Sequence, residues 1–248
     1  MEKVVLITGA SRGIGAATAL LAAQQGWAVA VNYVANSLAA DEVVRQIRAA
    51  GGKAIAVQAD VAVQAQVQRL FEMVDARLGR LNGLVNNAGV VDMPARVDAM
   101  AVERLARMWA TNITSSFVCA SLAVQRMSTR YGGAGGSIVN LSSAAARMGS
   151  PGQYVDYAAS KAAIDTFTMG LAKEVAGEGI RVNAVRPGII DTEIHASGGL
   201  PDRAAQVGPQ VPMQRAGTAH EVAQAIVWLL SGASSYTTGS IVDVTGGR

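Results

Sequence analysis

KVVLITGASRGIG, residues 3–15, decides the fold. Its first half is a short apolar run rich in Val, Leu and Ile with no polar alternation, the pattern of a strand buried on both faces. Its second half, TGASRGIG from Thr8 to Gly15, is a glycine turn that leads at once into the helical periodicity of Ile14 to Gln25. In open α/β sheets ligands bind beyond the carboxyl ends of the strands, and the free amides and dipole of a helix N-terminus attract phosphate. Gly9, Gly13 and Gly15 let the backbone turn tightly and come close to a pyrophosphate without a Cβ in the way. The spacing GxxxGxG departs from GxGxxG, and no GK[ST] follows to make a nucleoside-triphosphate loop.

Working outward, similar apolar runs recur at 27–33, 53–58, 83–87, 137–142, 180–185 and 240–244, each read as a buried strand. Helical stretches lie between them at 14–25, 38–50, 64–78, 102–127, 157–176 and 219–231. Strand and helix alternate, and right-handed crossovers then require a parallel sheet with helices on both faces. The expectation is α/β: one Rossmann-type domain spanning 1–248, with a doubly wound, seven-stranded parallel sheet. The stretch YGGAGG at 131–136 reads as a loop. From Ile189 to Gly217 the rhythm breaks, with Gly198, Gly199, Pro201, Pro209 and Pro212 in one long connection. Connections of that length are commonly functional, and 189–217 is the candidate substrate lid.

Hydrophobic residues make up 50% of the 248 and charged residues 16%, against roughly 25% charged in an average soluble protein. So sparse a charge suggests that a partner, most simply another copy, covers part of the surface. The formal charge is +3, but the basic residues are scattered and aromatics are 4%, which argues against nucleic acid. No stretch approaches the roughly twenty apolar residues of a membrane span, and the first apolar run ends too soon for a secretory segment. The single cysteine, Cys119, reads as a small buried residue and fits a reducing compartment. A soluble cytoplasmic protein is expected.

Charge also bears on the ligand. Between Lys3 and Asp41 the only charged residue is Arg12, inside the glycine turn. Sites selective for NAD place an acid about twenty residues past the turn to hold the ribose 2′-hydroxyl, and that acid would repel a 2′-phosphate. Here the second strand ends in Asn32 and Tyr33. With no acid there and Arg12 at hand, NADP(H) is favoured, and NAD(H) stays open.

The segment SPGQYVDYAASKAAID, residues 150–165, supplies the chemistry. Lys161 follows Tyr157 by four residues, so on a helix both side chains share a face. A phenol loses its proton near pH 10, and a neighbouring ammonium favours the phenolate. Such a phenol can pass a proton to or from a carbonyl oxygen. Tyr154 lacks that neighbour and reads as a pocket wall, and Asp156 is expected on another, solvated face. His195 in the lid and His220 at a helix start have no acid-rich cluster around them, so no metal site is expected.

TGASRGIG at 8–15, NNAG at 86–89, Ser142 and Ser143, YAASK at 157–161 and PG at 187–188 occur in the order and spacing of the short-chain dehydrogenases/reductases. The resemblance covers essentially the whole chain and is nearest to the glucose 1-dehydrogenase and 3-oxoacyl-carrier-protein reductase branches. It implies hydride transfer between a nicotinamide and a carbonyl or alcohol by a homotetramer or dimer. It implies further that Tyr157 is the acid/base, that Lys161 lowers its pKa and holds the nicotinamide ribose, and that Asn112 supports a proton-relay water. The family serine commonly lies thirteen residues before the tyrosine, where this chain has Ala144. Ser143, fourteen back at the strand end, is the choice over Ser142. By the same resemblance Ser11, Arg12 and Ile14 join the glycines of the turn, and Asp60 and Val61 bracket the adenine. Asn87, Ala88 and Gly89 lie under the adenosine ribose, and Pro187, Gly188, Ile190 and Thr192 meet the carboxamide. Arg126, Arg130 and Arg147 are candidates for a basic rim toward a carrier protein. The alternative is a catalytically inactive, NADP(H)-sensing regulator.

Overall fold

The computed structural model describes residues 3–248. The first half of the chain runs β1 (Lys3–Ile7), α1 (Gly13–Gln24), β2 (Trp27–Tyr33), α2 (Ser37–Ala49), β3 (Ala54–Gln58), α3 (Gln64–Arg77), β4 (Leu81–Asn86), α4 (Val102–Trp109) and α5 (Ser115–Met127). The second half runs β5 (Gly136–Leu141), α6 (Ala145–Met148), α7 (Val155–Val175), β6 (Ile180–Pro187), β7 (Ile190–Asp191), α8 (Ile194–Ser197), α9 (Arg203–Val207), β8 (Gly217–Thr218), α10 (Ala219–Leu230) and β9 (Ile241–Val244).

Seven strands form one parallel sheet in the order β3-β2-β1-β4-β5-β6-β9. The order reverses between β1 and β4, so the helices after these strands go to opposite faces and leave a crevice at their carboxyl ends. The apolar strands are buried because each face carries its own core. Val4 and Leu6 of β1 pack with Phe71, Val74, Ala123 and Met127 from α3 and α5. Val5 and Ile7 point the other way, to Ala19 and Ala22 of α1, Ile47 of α2 and Ile226 of α10. Period-two alternation in β1 thus feeds both layers. Cys119 lies in the first layer at 1% exposure, where burial pushes its thiol up to about 12.

Two features differ from the expectation drawn from sequence. The single helix foreseen over 102–127 is two, joined by a π-helical turn at Ala110–Thr114 that shifts the register of the helix beside the crevice. Segment 189–217 is folded rather than irregular: β7 pairs with β8, and α8 and α9 lie between them.

Asp156 is also not solvated. It is 4% exposed, and its carboxylate takes two hydrogen bonds from Arg104 of α4, from Nε at 2.7 Å and from Nη2 at 3.1 Å. Arg104 Nη1 donates to the Met93 carbonyl, so one buried ion pair ties α4 and the chain after β4 to the first turn of α7. Removing one partner leaves the other charge buried and uncompensated. Asp156→Ala should therefore lower stability by about 3–5 kcal/mol in urea unfolding, and the paired change Arg104→Met/Asp156→Leu should recover most of the loss. Equal stability of Asp156→Ala and wild type would mean that the pair is solvated.

Candidate active site

Beyond the carboxyl ends of β1, β4, β5 and β6 lies a cavity of about 1340 Å³. One wall is the glycine turn. Gly9 and Gly13 have φ of +60° and +55°, a left-handed backbone that only glycine adopts without strain. Gly15 is buried behind the turn rather than in the cavity wall. A Cβ there would lie 2.6 Å from the Gly9 carbonyl oxygen and from Asn87 Nδ2, so its role is close packing of α1.

Polar side chains lock the turn. Thr8 Oγ1 accepts from the backbone N–H groups of Asn87 and Ala88 at 3.0 Å each, and Asn87 Nδ2 donates to the carbonyls of Thr8 and Gly9 at 2.8 and 2.9 Å. Asn32 does the same from β2. Its Oδ1 accepts from Gly9 N at 3.1 Å and its Nδ2 donates to the Ala59 carbonyl at 2.9 Å. Asn32 is 1% exposed and outside the cavity wall. It is thus a strut for the turn and not the cofactor contact expected of it, because strand alternation directs its side chain inward. Tyr33, next along, does line the cavity.

The first turn of α1 has Arg12 as N-cap with no side-chain cap and no acid, so its leading amides are free to meet an anion. That uncapped helix start, behind left-handed glycines, fits the pyrophosphate of a dinucleotide. Ser11, Arg12 and Ile14 line the cavity with it, as do Asp60 and Val61 after β3 and Asn87, Ala88 and Gly89 after β4. Asp60 also caps its own turn, accepting from Ala62 N at 2.9 Å. Pro187, Gly188, Ile190 and Thr192 form the wall past β6. The Arg12 guanidinium donates to Ser197 Oγ of α8 at 3.3 Å.

The opposite wall carries the candidate reactive groups. Tyr157 and Lys161 lie on α7, and Ser143 follows the end of β5. Ser143 lies close enough to the Tyr157 hydroxyl to favour its ionised form, and its Oγ accepts from Ala145 N at 3.1 Å. Ser142 turns inward, where its Oγ donates to the Lys161 carbonyl at 3.1 Å. Lys161 Nζ donates to the Leu141 carbonyl at 2.7 Å and lies 5.7 Å from the centroid of the Tyr157 ring. Asn112 is outside the cavity wall and 1% exposed. Its amide brackets Val90, with Oδ1 accepting from the Val90 N–H at 2.8 Å and Nδ2 donating to the Val90 carbonyl at 2.9 Å. Nδ2 also donates to Ser160 Oγ at 3.1 Å. These bonds fix the loop after β4 against α7.

Arg126 and Arg130 do not reach the rim. α5 runs away from the cavity, and at its far end Arg126 pairs with Asp75 at 2.7 Å while Arg130 lies 4.0 Å from Glu178. Arg147 is near the mouth but pairs with Asp243 at 3.1 Å.

The model of a family described as enoyl-(acyl carrier protein) reductase matches residues 9–248. The chain is 56% identical over 245 residues to the uncharacterized oxidoreductase YgfF of Escherichia coli, covering 99% of both. It is 41% identical to a 3-oxoacyl-[acyl-carrier-protein] reductase from Synechocystis, covering 99% of this chain and 96% of the relative. Among solved structures, a short-chain type dehydrogenase/reductase from Mycobacterium marinum superposes with a TM-score of 0.92 at 37% identity, covering 99% of this chain and 94% of that one.

The charges of the reactive wall depart from the simple pairing read from sequence. Burial pushes the Tyr157 phenol above its ordinary value, and the nearby Ser143 side chain pulls it part of the way back. The ammonium is held by the Leu141 carbonyl beside the phenol ring. Burial lowers Lys161 from 10.5, the Asp165 carboxylate one turn further along α7 offsets part of that, and the ammonium is left at about 8. Asp165 is 6% exposed; its Oδ2 takes two hydrogen bonds from Arg186 of β6, and its Oδ1 has no partner. The spacing of 157, 161 and 165 on one helix face makes this third member legible in the sequence.

A lysine depressed on folding binds its proton more weakly in the native state than in the unfolded chain. Its contribution is then full above about 10.5 and is lost as pH falls toward about 8. The unfolding free energy of wild type minus that of Lys161→Met, measured in urea at stepped pH, should therefore rise between these limits. A flat difference would show an ammonium that keeps its water.

Proposed function

The chain belongs to the short-chain dehydrogenase/reductase family, enzymes that act on CH–OH groups with NAD(P)(H), and on that premise we propose an NADP(H)-dependent oxidoreductase interconverting a secondary alcohol and a ketone. The observation that carries this reading is the convergence of Ser143, Tyr157 and Lys161 on one wall of the cavity, with Lys161 Nζ 5.7 Å from the centroid of the phenol ring and the uncapped start of α1 in the facing wall.

When bound, the nicotinamide supplies or accepts the hydride. The protein handles the proton. Ser143 and Tyr157 together hold the substrate oxygen, and the Tyr157 hydroxyl donates its proton to that oxygen during reduction or takes one during oxidation. A phenol kept protonated by burial is ready as the acid of the reductive direction. Lys161 holds a positive charge near the phenolate left behind, and Asp165 and the Leu141 carbonyl keep that charge in place. The free amides of α1 take the pyrophosphate, Asp60 and Val61 flank the adenine, and Pro187 to Thr192 orient the carboxamide. Segment 189–217 closes over the substrate as a lid.

NADP(H) over NAD(H) rests on the tip of β2, where Tyr33, Val34, Ala35 and Asn36 line the cavity without an acid. The bond from Arg12 to Ser197 is exposed and long, too weak to keep a guanidinium from a phosphate. No helix among the described residues is long and apolar enough to cross a membrane. Phe117 of α5 and Met169 of α7 are 48% and 42% exposed, and they support a homotetramer or dimer with these helices at a contact. A sugar or 3-oxoacyl compound is the substrate class this reading starts from. A sensor that had lost its chemistry would have no use for a serine, tyrosine and lysine in one wall.

Tyr157→Phe should reduce ketone-dependent NADPH oxidation by about a hundredfold or more, while NADPH still quenches or enhances tryptophan fluorescence as in wild type. Turnover near the wild-type rate would remove Tyr157 from the chemistry. Arg12→Ala should raise the Kd for NADPH at least ~10-fold and leave NADH nearly unaffected. Equal losses for both would show that Arg12 does not read the 2′-phosphate.

A further inference from the structure

Beside Tyr154 the cavity wall carries a cation without a counter-ion. Arg203, at the start of α9, is half-buried and lines the cavity. Its guanidinium stacks 5.4 Å from the ring centroid of Tyr154, and Nη1 donates to Gln153 Oε1 at 3.0 Å. Among the described residues it makes no ion pair. A guanidinium has five N–H donors in a planar fork, and the Gln153 amide occupies one of them.

The platform beneath it is fixed. Tyr154 is 6% exposed, its hydroxyl donates to the Gly198 carbonyl at 3.3 Å, and Gln153 and Tyr154 lead directly into α7. Arg203 is thereby held at the N-terminal end of the helix that carries Tyr157, on the substrate side of the cavity.

The other charges of the wall lie elsewhere or are engaged. Glu42 is taken by Arg45, Asp60 follows β3, and Glu193 Oε2 is 3.6 Å from where a Gly13 Cβ would be. These acids belong to the dinucleotide half. Lys161 is bound to the Leu141 carbonyl, and the carbonyl of Arg248, the last residue, accepts from Arg147. His195 points Nε2 at the Ile190 carbonyl at 2.9 Å, and burial holds its ring toward the neutral form. The side-chain acids of the wall therefore lie in the dinucleotide half, while beside Tyr154 the wall presents Arg203, a planar cation pre-oriented by an aromatic face, with Arg248 a second guanidinium-bearing residue of the lining.

We propose that Arg203 is a substrate-recognising residue and that the ketone or alcohol handled here bears a carboxylate, taken by the free edge of the Arg203 fork while its carbonyl oxygen meets Ser143 and Tyr157. The proposal rests on the oxidoreductase reading only for where the carbonyl sits. A planar fork matches a carboxylate better than an ammonium would, and a lid residue that contacts the ligand also ties closure to its charge. An anionic phosphopantetheine arm would offer a phosphate to the same fork, so the test must separate the two.

The holoenzyme is assayed with NADPH and 3-oxobutanoate, 4-oxopentanoate and 5-oxohexanoate, each beside its methyl ester, and with 3-oxobutanoyl-coenzyme A. Binding of the same acids is followed by calorimetry. At least one free acid should exceed its ester in kcat/KM by ~10-fold or more. In Arg203→Gln that ratio should fall to about one, while Arg203→Lys keeps part of it, because point charge survives but fork geometry does not. Esters equal to acids throughout, an acid preference that survives in Arg203→Gln, or a preference for the coenzyme A thioester alone would each overturn the proposal. Acids that bind in an Arg203-dependent way without being reduced would uphold Arg203 and sink the proposed activity instead. Acids neither bound nor reduced would overturn the proposal outright, and neutral-ketone turnover would then show whether the activity stands without it.

Discussion

A lysine ammonium held out of water beside a phenol is the constraint on which the site depends. Burying Lys161 at 4% exposure is unfavourable unless hydrogen bonds and an opposite charge offset the lost hydration. The chain supplies both, through the Leu141 carbonyl at the end of β5 and Asp165 on the same face of α7. Asp165 is in turn neutralised by Arg186 of β6, which also reaches Asp243 of β9 at 3.8 Å. The charge under the reactive phenol is thus carried outward across adjacent strands instead of ending in the core, and α7 has to sit where it does for that relay to close.

The same helix is fastened from its other side. Arg104 grips Asp156 in its first turn, and Asn112, in the π-helical turn between α4 and α5, bonds Ser160 of α7 and both backbone groups of Val90. These contacts bring the loop after β4 against the reactive wall, so that Gly89 faces Lys161. A Cβ at Gly89 would lie 3.4 Å from Nζ and 3.5 Å from Asn112 Oδ1, in van der Waals contact with both. Across the crevice Thr8, Asn32 and Asn87 fix the glycine turn between β2 and β4. Both walls are rigid because each is hydrogen-bonded to strand ends, and the strand order places them opposite one another.

Much of this was legible in the chain. Continuous apolar runs announced strands buried on two faces, the glycine turn announced a left-handed bend into an uncapped helix start, and the 157–161 spacing announced a shared face. What escaped reading depends on partners far away in sequence. Asp156 looks like a solvated residue until Arg104, 52 positions earlier, is folded against it. Asn32 looks like a strand-tip contact because its inward direction is set by the glycine turn it supports. Arg126 and Arg130 carry no signal of which end of α5 faces the crevice. ATNITSSF keeps helical periodicity through its π-helical turn, so one long helix and two shorter ones read alike. The pairing of the phenol with its lysine was read as a direct lowering of the phenol's pKa, whereas burial dominates and raises it. Periodicity gives neighbours on a helix face but not the solvent they lose.

The most direct measurement is a crystal structure of the protein with NADP⁺ bound. The account predicts the pyrophosphate on the amides of Gly13 and Ile14 and the nicotinamide between the Pro187–Thr192 wall and the Tyr157 hydroxyl, with its reactive carbon facing Ser143. A dinucleotide bound with its nicotinamide outside this cavity, or with Tyr157 turned away from that carbon, would contradict it.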